Sequence, residues 1–377
     1  MTKEITQKHQ EPRITHALDS LAVGGAERMV LRFLAHCDAE TARIVVVTRR
    51  DTLFEEQAAL LPIPLSYLSH GRLFSWRTWR SAHAILNARA DHVLHAHMQH
   101  ATLIFLPLAK LAGMKTVVTL HNVSRPAKSL SARLRNALER LVLRRFADLI
   151  ISVGSSVTRA WQGVLPGHAI VTMPNTVPMP ESLAPRDRVR AGIGAAPDAP
   201  VFISVASLSV QKNTSGLINA FQGVLRDHPS AELWLVGHGS LRKALEAQVD
   251  AQGLGAHVRF LGNRSDVNDL LGASDVFVLA SDWEGLPLAM LEAMACGLPV
   301  VVTAVGDIPT VANPGNAVIV PPGDGAALRQ AMSDLAGDTE RRQRLGRAAR
   351  AKVETDHNET RWVAELRQLY RDLAAPR

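Results

Sequence analysis

One stretch of the sequence, residues 275–303 (DVFVLASDWEGLPLAMLEAMACGLPVVVT), constrains the fold more than any other. Its two apolar, β-branched runs, 276–279 and 300–302, predict buried parallel strands. The residues between them favour a short helix, because Pro287 suits a first helical turn and Gly297 suits a left-handed cap. The stretch therefore predicts a βαβ unit, a motif whose ligands bind beyond the carboxyl ends of its strands.

Two glutamates fall in this unit, Glu284 in the loop before the helix and Glu292 inside the helix. Were all eight steps between them helical, they would lie about 12 Å apart. At that spacing they could hold hydroxyls at different points of an elongated ligand. The alternative is an acid that favours the helix dipole and a second acid that is a solvated surface residue.

Both halves of the chain alternate strand-like and helix-like segments, which predicts an α/β protein with two Rossmann-like domains. A proline-rich stretch places the linker at about 178–186, so the domains are predicted as 1–178 and 179–377. The last two helices are predicted at about 325–352 and 358–374, and the final one is expected to pack back on the first domain.

Two loops carry groups that suit phosphate. Gly24 and Gly25 occupy a strand-to-helix turn, where glycine lets the backbone approach a ligand and the next helix offers free N–H groups. Lys212 follows the strand 201–205 and could neutralise a diphosphate. The alternatives are a simple turn and a solvated lysine. The sequence has no G-x-G-x-x-G or Walker A pattern, which argues against dinucleotide binding and ATP hydrolysis.

Histidines are concentrated in the first half, at His95, His97, His100 and His121. Their spacing is poor for zinc and no cysteine accompanies them, so no metal is expected. His121 directly follows the predicted strand 116–120, a position where side chains meet ligand. It is predicted to be a hydrogen-bond donor or a proton carrier, with a purely structural role as the alternative.

The net charge of +7 is unevenly distributed. Residues 1–180 have 22 Lys+Arg and 12 Asp+Glu, a balance of +10, and the remainder has 20 against 23, or −3. The segment 125–145 is predicted to be a basic amphipathic helix. It either lies on an anionic membrane or is a core-facing helix with a solvated basic side. Nucleic acid is not expected, because aromatic residues are only 5% and no recognition motif accompanies the charge.

The cellular location is predicted from what the sequence lacks. The amino-terminal residues are polar and no apolar run reaches the length of a membrane span. The two cysteines imply no disulfide framework. A cytoplasmic protein is therefore expected, with a peripheral place on the inner face of the cytoplasmic membrane as a further option.

Several motifs together resemble the glycosyltransferase family 4 group, which are retaining, nucleotide-sugar-dependent enzymes of glycosyltransferase group 1 type. The match spans nearly the whole chain, and its most specific part is the pair of acids at 284 and 292. The motifs are GGAER at 24–28, TLHN at 119–122, PNTV at 174–177, QKN at 211–213, VGHGSLR at 236–242, VRFLGN at 258–263, the opening stretch, and VPPGD at 320–324.

The resemblance implies the GT-B fold, with two Rossmann-like parallel-sheet domains that face a central cleft. It also implies roles for individual residues. Glu284, His121 and Lys212 would be catalytic. Lys212 would bind the donor diphosphate, Glu284 the transferred sugar and Glu292 the ribose. The remaining implied contacts are Gly285, Leu286 and Pro287 with phosphate or sugar, Gly262 and Asn263 with the base, Gly24 and Gly25 with the phosphates, and His121 near the sugar.

The sequence departs from the family pattern at several positions. Ser207 stands where the family commonly has an arginine of the donor site, so one of two diphosphate cations is missing. Asn175 is followed by threonine instead of glycine. Gly306 is followed by Asp307 where a second glycine is usual, and Thr310 replaces a glutamate.

The implied activity is that of a hexosyl-type glycosyltransferase (EC 2.4). It would move a sugar from a UDP- or GDP-sugar to a hydroxyl, with retention and without metal or cofactor. The second domain would bind the donor. The first would bind the acceptor, which is expected to be lipid-linked in bacterial polysaccharide or glycoconjugate synthesis. The alternatives are a sugar-nucleotide epimerase of the same fold and a non-catalytic sugar-nucleotide-binding or scaffold protein.

Overall fold

The computed structural model describes residues 11–22, 24–48, 53–69, 73, 75–121 and 129–375. The chain divides into two compact units. The first comprises the residues up to Met173 together with Arg361 onward, and the second comprises Pro174–Thr360. The division therefore lies a few residues before the linker predicted at 178–186, and the chain returns to the first unit for its last helix.

The strands in the described residues are β1 (Ile14–Leu18), β2 (Ala42–Val46), β3 (Leu65–Tyr67), β4 (Val93–His97), β5 (Lys115–Leu120), β6 (Leu149–Ser152), β7 (Ile170–Thr172), β8 (Val201–Val205), β9 (Glu232–Val236), β10 (Val258–Gly262), β11 (Val276–Leu279), β12 (Val300–Thr303) and β13 (Ala317–Val320).

The helices in the same residues are α1 (Gly25–Leu34), α2 (Leu53–Leu60), α3 (Trp76–Asn87), α4 (Gln99–Leu111), α5 (Leu130–Phe146), α6 (Ser155–Gln162), α7 (Arg186–Ile193), α8 (Thr214–Val224), α9 (Arg242–Ala251), α10 (Val267–Gly272), α11 (Leu288–Ala295), α12 (Ile308–Val311), α13 (Gly325–Gly337), α14 (Thr339–Asp356) and α15 (Glu359–Ala374), with a 3-10 turn at Val210–Lys212.

The first unit is built on a seven-stranded sheet of order β3-β2-β1-β4-β5-β6-β7. Every recorded strand pairing in it is parallel. Strand order reverses between β1 and β4, so the loops that follow these two strands diverge there. Such a switch point is where open α/β sheets bind ligands.

The second unit repeats this plan with a six-stranded parallel sheet of order β10-β9-β8-β11-β12-β13. Its switch point lies between β8 and β11. The central strands are buried along their whole length, which is why they appear in the sequence as continuous apolar runs. The prediction of two Rossmann-like parallel-sheet domains is confirmed.

Apolar helices cover both faces of the first sheet. One cluster of buried residues includes Leu86 of α3, Phe105 of α4 and Leu143 of α5. The other includes Val30 of α1, and the last helix joins it through residues such as Tyr370, which is fully buried. The last helix is therefore part of the core of the first unit.

Some element boundaries differ from the sequence prediction. Helix α11 begins at Leu288, and Pro287 is its N-cap instead of a first-turn residue. The segment predicted as one helix at 325–352 is two helices, because the Asp338 side chain caps a new one by accepting from Arg341 N. The short strands β3 and β7 were not predicted.

The predicted basic segment 125–145 forms α5 from residue 130 onward. Its first members, Arg125 and Lys128, lie outside the described residues, as does Asn122 of the TLHN motif. Across the residues that the structure describes, no helix is both long and apolar enough to cross a membrane.

Candidate active site

Lys212 and Glu284 meet at the switch point of the second sheet. Lys212 lies in the loop after β8, and Glu284 lies in the loop after the neighbouring strand β11. Their side chains form an ion pair in which the exposed fractions are 17% and 6%. The family resemblance implied a donor-binding role for both residues, and the structure brings them into direct contact. The solvated-lysine alternative is wrong, because most of the Lys212 side chain is covered.

Two neighbours fix the Glu284 carboxylate in place. Ser281 Oγ donates to Oε1 at 2.7 Å, and Gln211 Nε2 lies 3.3 Å from Oε2. The same amide of Gln211 donates to the carbonyl of Trp283 at 2.9 Å. The carboxylate is therefore held by one cation and two neutral donors. Ser281 and Gln211 were not identified as site residues from the sequence.

Glu292 lies in the middle of α11 and is only 5% exposed. The alternative of a solvated helix residue is therefore wrong. Its negative charge acts on a neighbour: burial, with the Glu292 charge as a further cause, raises the pKa of Cys296 to about 12.

The backbone of the Gly285–Leu286–Pro287 loop is anchored by hydrogen bonds from distant segments. Asp307 N donates to the Gly285 carbonyl at 2.9 Å. Asn175 Nδ2 donates to the Leu286 carbonyl at 2.7 Å, and the Asn175 carbonyl lies 2.8 Å from Nδ1 of His357. The loop that carries Glu284 is therefore fixed from two sides.

Gly306 packs directly beneath this loop. It has φ +58°, and a Cβ atom there would lie 2.3 Å from the Glu284 carbonyl oxygen. Only glycine fits a left-handed position with backbone at that distance. The second glycine of the usual pair is Asp307 here, but the first keeps its structural function.

Two glycines of the VGHGSLR motif press against the loop after β8. A Cβ on Gly237 would lie 2.0 Å from the Ala206 carbonyl oxygen, and one on Gly239 would lie 2.3 Å from that of Leu208. These contacts fix the backbone on both sides of Ser207, which is exposed. The Ser207 hydroxyl lies 3.2 Å from Ser209 Oγ. The side chain that Ser207 offers to a sugar donor is therefore short and neutral.

Gly262 and Asn263, the predicted base-binding edge, lie at the end of β10. Gly262 adopts φ +66°, and Asn263 is exposed. Next to them the guanidinium of Arg242 lies 5.7 Å from the centre of the Phe260 ring. A flat, polar-edged surface of this kind suits a planar ring.

In the first unit, Gly24 and Gly25 begin α1. Gly24 is the N-cap residue and Gly25 the first helical residue. A Cβ on Gly24 would lie 2.6 Å from Glu27 Oε2, so the glycine makes room for a carboxylate that sequence reasoning did not identify. Glu27 is 6% exposed, and burial raises its pKa to about 7, with the charge of Asp19 contributing.

The switch point of the first sheet also joins the loops after its two diverging strands. Asp19, after β1, accepts from Ala101 N at 2.6 Å at the start of α4. Its other oxygen lies 3.1 Å from His100 Nδ1, and this hydrogen bond raises the pKa of His100. Between β4 and α4, Met98 has φ +69°, an unusual conformation for a residue with a side chain.

His121 directly follows β5 and is in contact with a histidine array. His97 Nδ1 lies 3.3 Å from His121 Nε2, and His97 Nε2 lies 3.2 Å from His16 Nδ1. His95 has hydrogen-bond partners outside this array: its Nδ1 lies 2.6 Å from the Tyr370 hydroxyl, and its Nε2 lies 2.7 Å from Thr119 Oγ1. Parallel pairing of β1, β4 and β5 places all four rings on one face of the sheet.

Three of these rings have the proximity of metal ligands. In the described residues, His16, His95 and His97 each place a nitrogen within 4.8 Å of the others. Both nitrogens of His95 already lie at hydrogen-bond distance from hydroxyls, and His16 and His97 bond to each other. Within the described residues, five of the six ring nitrogens of this set are thus hydrogen-bonded to other side chains, so the set fits a metal poorly.

Two family models cover most of the chain. The model described as glycosyl transferases group 1 matches residues 185–352, and the model described as Glycosyltransferase Family 4 matches residues 23–179. The first therefore covers the second sheet and its candidate site, and the second covers strands β2 to β7 of the first sheet with Gly24 and His121.

Two curated relatives show the extent of the likeness. A GDP-mannose-dependent alpha-(1-6)-phosphatidylinositol monomannoside mannosyltransferase of Mycolicibacterium smegmatis is 30% identical over 65% of this chain and 67% of its own length. A GDP-mannose-dependent monoacylated alpha-(1-6)-phosphatidylinositol monomannoside mannosyltransferase of Corynebacterium glutamicum is 25% identical over 89% of this chain and 91% of its own.

A solved structure of Anabaena HepE in complex with UDP and glucose has a TM-score of 0.85 at 20% identity, over 95% of this chain and 99% of that one. At this identity the likeness is one of fold, and it agrees with the GT-B architecture predicted from the motifs. Membership of the family favours the transferase over the epimerase and scaffold alternatives. The chain belongs to the family 4, group 1 glycosyltransferases and is a glycosyltransferase (EC 2.4).

Proposed function

We propose that the chain transfers a sugar, with retention, from a nucleoside-diphosphate sugar held by the second unit to a hydroxyl of a lipid-linked acceptor held by the first. The observation that carries the donor half is the Lys212–Glu284 pair at the switch point, with Glu292 buried in the adjoining helix. Lys212 and the free N–H groups of α11 stabilise the departing diphosphate, since catalysis of such a step depends on electrostatic stabilisation of the developing charge.

The ion pair gives the donor a defined way to bind. Lys212 is held by Glu284, so a diphosphate that approaches Lys212 competes with a carboxylate for the same ammonium. Glu284 is then released to accept hydrogen bonds from sugar hydroxyls. Glu292 accepts from the ribose. No metal or cofactor is included in this proposal, because the cationic and N–H groups of the chain supply the positive charge.

The base of the sugar donor is either uracil or guanine. The two mannosyltransferase relatives are named as GDP-mannose-dependent, and the solved neighbour holds UDP. A thermal-shift screen with UDP, GDP and their sugar conjugates resolves this choice. We expect one base series to raise the melting temperature at concentrations where the other does not.

Replacement of Glu284 tests the proposed mechanism. Glu284→Ala removes the acceptor of sugar hydroxyls and frees Lys212, so we expect nucleotide affinity to be kept and transfer to be lost. The matched control is Glu365→Gln on α15, because the Glu365 carboxylate is half exposed and pairs with its helix neighbour Arg361 at 2.8 Å. Transfer at the wild-type rate by Glu284→Ala would remove Glu284 from the mechanism. Donor conversion without acceptor would instead indicate epimerase or hydrolase chemistry.

The lipid-linked acceptor is supported by the surface of α5. Leu130, Leu134 and Leu141 are 73%, 63% and 62% exposed. At about 100° per residue they fall within about 40° of each other on the helix surface. The helix has five arginines and one glutamate. This is the pattern of a helix that lies in the interface of an anionic membrane.

The opposite side of α5 already packs into the protein, because Val142 and Leu143 are buried in the core. The helix therefore has a second apolar stripe beyond what the fold needs. Helix α3 belongs to the same layer and adds Trp76, which is 65% exposed, with the guanidinium groups of Arg77 and Arg80 each 5.9 Å from its ring centre. Tryptophan beside arginine is frequent at membrane interfaces.

Flotation with liposomes tests this surface. We expect the protein to float with vesicles that contain phosphatidylglycerol and to remain behind with phosphatidylcholine alone. Leu134→Gln should weaken flotation, whereas Leu60→Gln, at a leucine of α2 that is 85% exposed, should not. Failure of the wild type to float at low salt would contradict the membrane proposal and leave the donor chemistry untouched.

A further inference from the structure

Three imidazoles of the first unit form a continuous hydrogen-bonded chain. The nitrogen atoms are joined in the order His16 Nδ1 to His97 Nε2 at 3.2 Å, and His97 Nδ1 to His121 Nε2 at 3.3 Å. His16 is 1% and His97 is 4% exposed, so the inner part of the chain is shielded from solvent. The central ring, His97, uses Nε2 for one contact and Nδ1 for the other, which makes the chain directional.

All three rings are neutral at physiological pH. Burial lowers the pKa of His16 to about 3 and that of His121 to about 4, and it lowers the pKa of His97 well below the usual value. A neutral imidazole has one N–H donor and one bare nitrogen acceptor. The tautomer of one ring therefore dictates the tautomer of the next.

Only two arrangements satisfy both hydrogen bonds. In the first, His16 Nδ1–H donates to His97, and His97 Nδ1–H donates to His121. In the second, His121 Nε2–H donates to His97, which in turn donates to His16. The arrangements differ at His16 Nε2, which is bare in the first and carries hydrogen in the second.

The surroundings of His16 decide between them. Among the residues that the structure describes, its Nε2 is buried with no hydrogen-bond partner. The ring lies among Phe33, His95 and Tyr370, with centroid distances of 5.3, 5.3 and 6.3 Å. Buried N–H groups without a partner are rarer in proteins than acceptors with unused lone pairs. The first arrangement is therefore favoured, and it leaves His121 with a bare Nε2 and a protonated Nδ1.

We infer that His16 and His97 are positioning residues that hold His121 as its Nδ1–H tautomer, so that His121 offers substrate a hydrogen-bond donor. This rests on the proposed function together with the family resemblance, which implies that His121 lies near the transferred sugar. The sequence left open whether His121 is a donor or a proton carrier. The chain of imidazoles makes it a donor, because its one bare nitrogen is already engaged by His97.

Proton-detected correlation spectra of histidine side chains, with ¹⁵N-labelled histidine in the full-length protein, read the tautomers directly. The signals of His121 are assigned by their loss in His121→Gln. We expect Nδ1 of both His97 and His121 to be protonated and Nε2 of both to be bare. An Nε2–H tautomer at His121 in the wild type would overturn the inference.

Substitution of His97 separates positioning from structural support. His97→Phe removes the donor to His121, and we expect mixed tautomers at His121 and a loss of about tenfold in kcat, with the KM for donor within about twofold. One lost hydrogen bond has about that effect. His97→Asn keeps an N–H near the position of Nδ1, so it should restore both the single His121 tautomer and the kcat. Unchanged tautomers in His97→Phe would overturn the inference.

Tyr370→Phe is the matched control, because its hydroxyl contacts His95 and not the chain of three. It should leave the His121 tautomer unchanged even if it lowers stability, and it keeps the inference testable if His97→Phe does not fold. Added Zn²⁺ alone should leave the spectrum unchanged, whereas stoichiometric shifts at His16 and His97 would identify a metal site instead. The spectra need no turnover, so a failed transfer assay would refute the proposed function separately.

Discussion

Gly306 offers a sharp test of how the Glu284 loop is held. A Cβ at this position would lie 2.3 Å from the Glu284 carbonyl oxygen and 2.6 Å from that of Gly285, and the residue has φ +58°. Alanine would therefore have both an unfavourable backbone conformation and an overlap with backbone that cannot rotate away. The left-handed conformation costs about 1–2 kcal/mol. Overpacking adds about 1–3 kcal/mol.

We expect Gly306→Ala to lower the free energy of unfolding of the second unit by about 2–5 kcal/mol, the sum of these two terms. Gly253→Ala is the matched control, because Gly253 has φ +68° in the same unit and a Cβ there would meet nothing within 4 Å. The control has only the backbone term, about 1–2 kcal/mol. The difference between the two variants therefore isolates the contact beneath the loop.

Urea unfolding followed by circular dichroism measures both changes, and transfer assays at saturating donor measure the effect on the site. We expect Gly306→Ala to lose at least about tenfold in kcat/KM, which corresponds to about 1.4 kcal/mol in the transition state, and Gly253→Ala to keep its activity. Equal unfolding free energies for the two variants would refute the argument that Gly306 packs against the Glu284 backbone.

Three further predictions concern charge. Ser207→Arg should tighten binding of the nucleoside diphosphate about tenfold at low salt and less at 1 M salt, since the added cation is exposed. Isothermal titration measures this affinity, and an unchanged Kd would show that the loop of Ser207 faces away from the diphosphate. Glu27→Gln should stabilise the first unit above pH 7 by up to about 3 kcal/mol. The pKa of Glu27 rises from 4.5 to about 7 on folding, so the stabilising contribution of this acid is lost as pH rises through that window. Equal melting temperatures of variant and wild type at pH 8 would contradict this. Stability of the first unit should also fall as pH drops from about 6.5 toward 4. Histidines such as His16 and His121 have lower pKa values in the folded than in the unfolded chain, so the unfolded chain takes up the protons first. Melting temperatures that stay constant across this range would count against the buried neutral histidines.

The parts of the fold that could be predicted are those with a local signal. The stretch around Glu284 combines two buried strands, a helix and its cap within one window, so composition and periodicity suffice there. The strand β3 has only three half-covered residues and no apolar run to distinguish it. The break at Asp338 depends on one side-chain cap in a polar segment, which helix propensity does not reveal.

The parts of the site that could not be predicted depend on contacts between distant residues. Asn175 drew attention only through the residue after it, whereas its importance is an amide bond to Leu286, 111 positions later. His16 was not considered with the other histidines, because only the parallel pairing of β1 with β4 places it beside His95. The pairing of Lys212 with Glu284 likewise required the strand order, which placed β8 next to β11.

The position of α15 has a consequence for how the protein is made. The first unit needs Val363, Leu366 and Tyr370 to complete its core, yet these residues follow the whole of the second unit in the chain. At about 5–20 residues per second, a ribosome synthesises 174–360 in roughly 10–40 s. The second unit is contiguous and can fold in that interval, while the first exposes an unfilled apolar surface. Synthesis thus reverses the usual amino-terminal-first order of folding, and a nascent chain stalled before residue 361 is expected to be a target for chaperones.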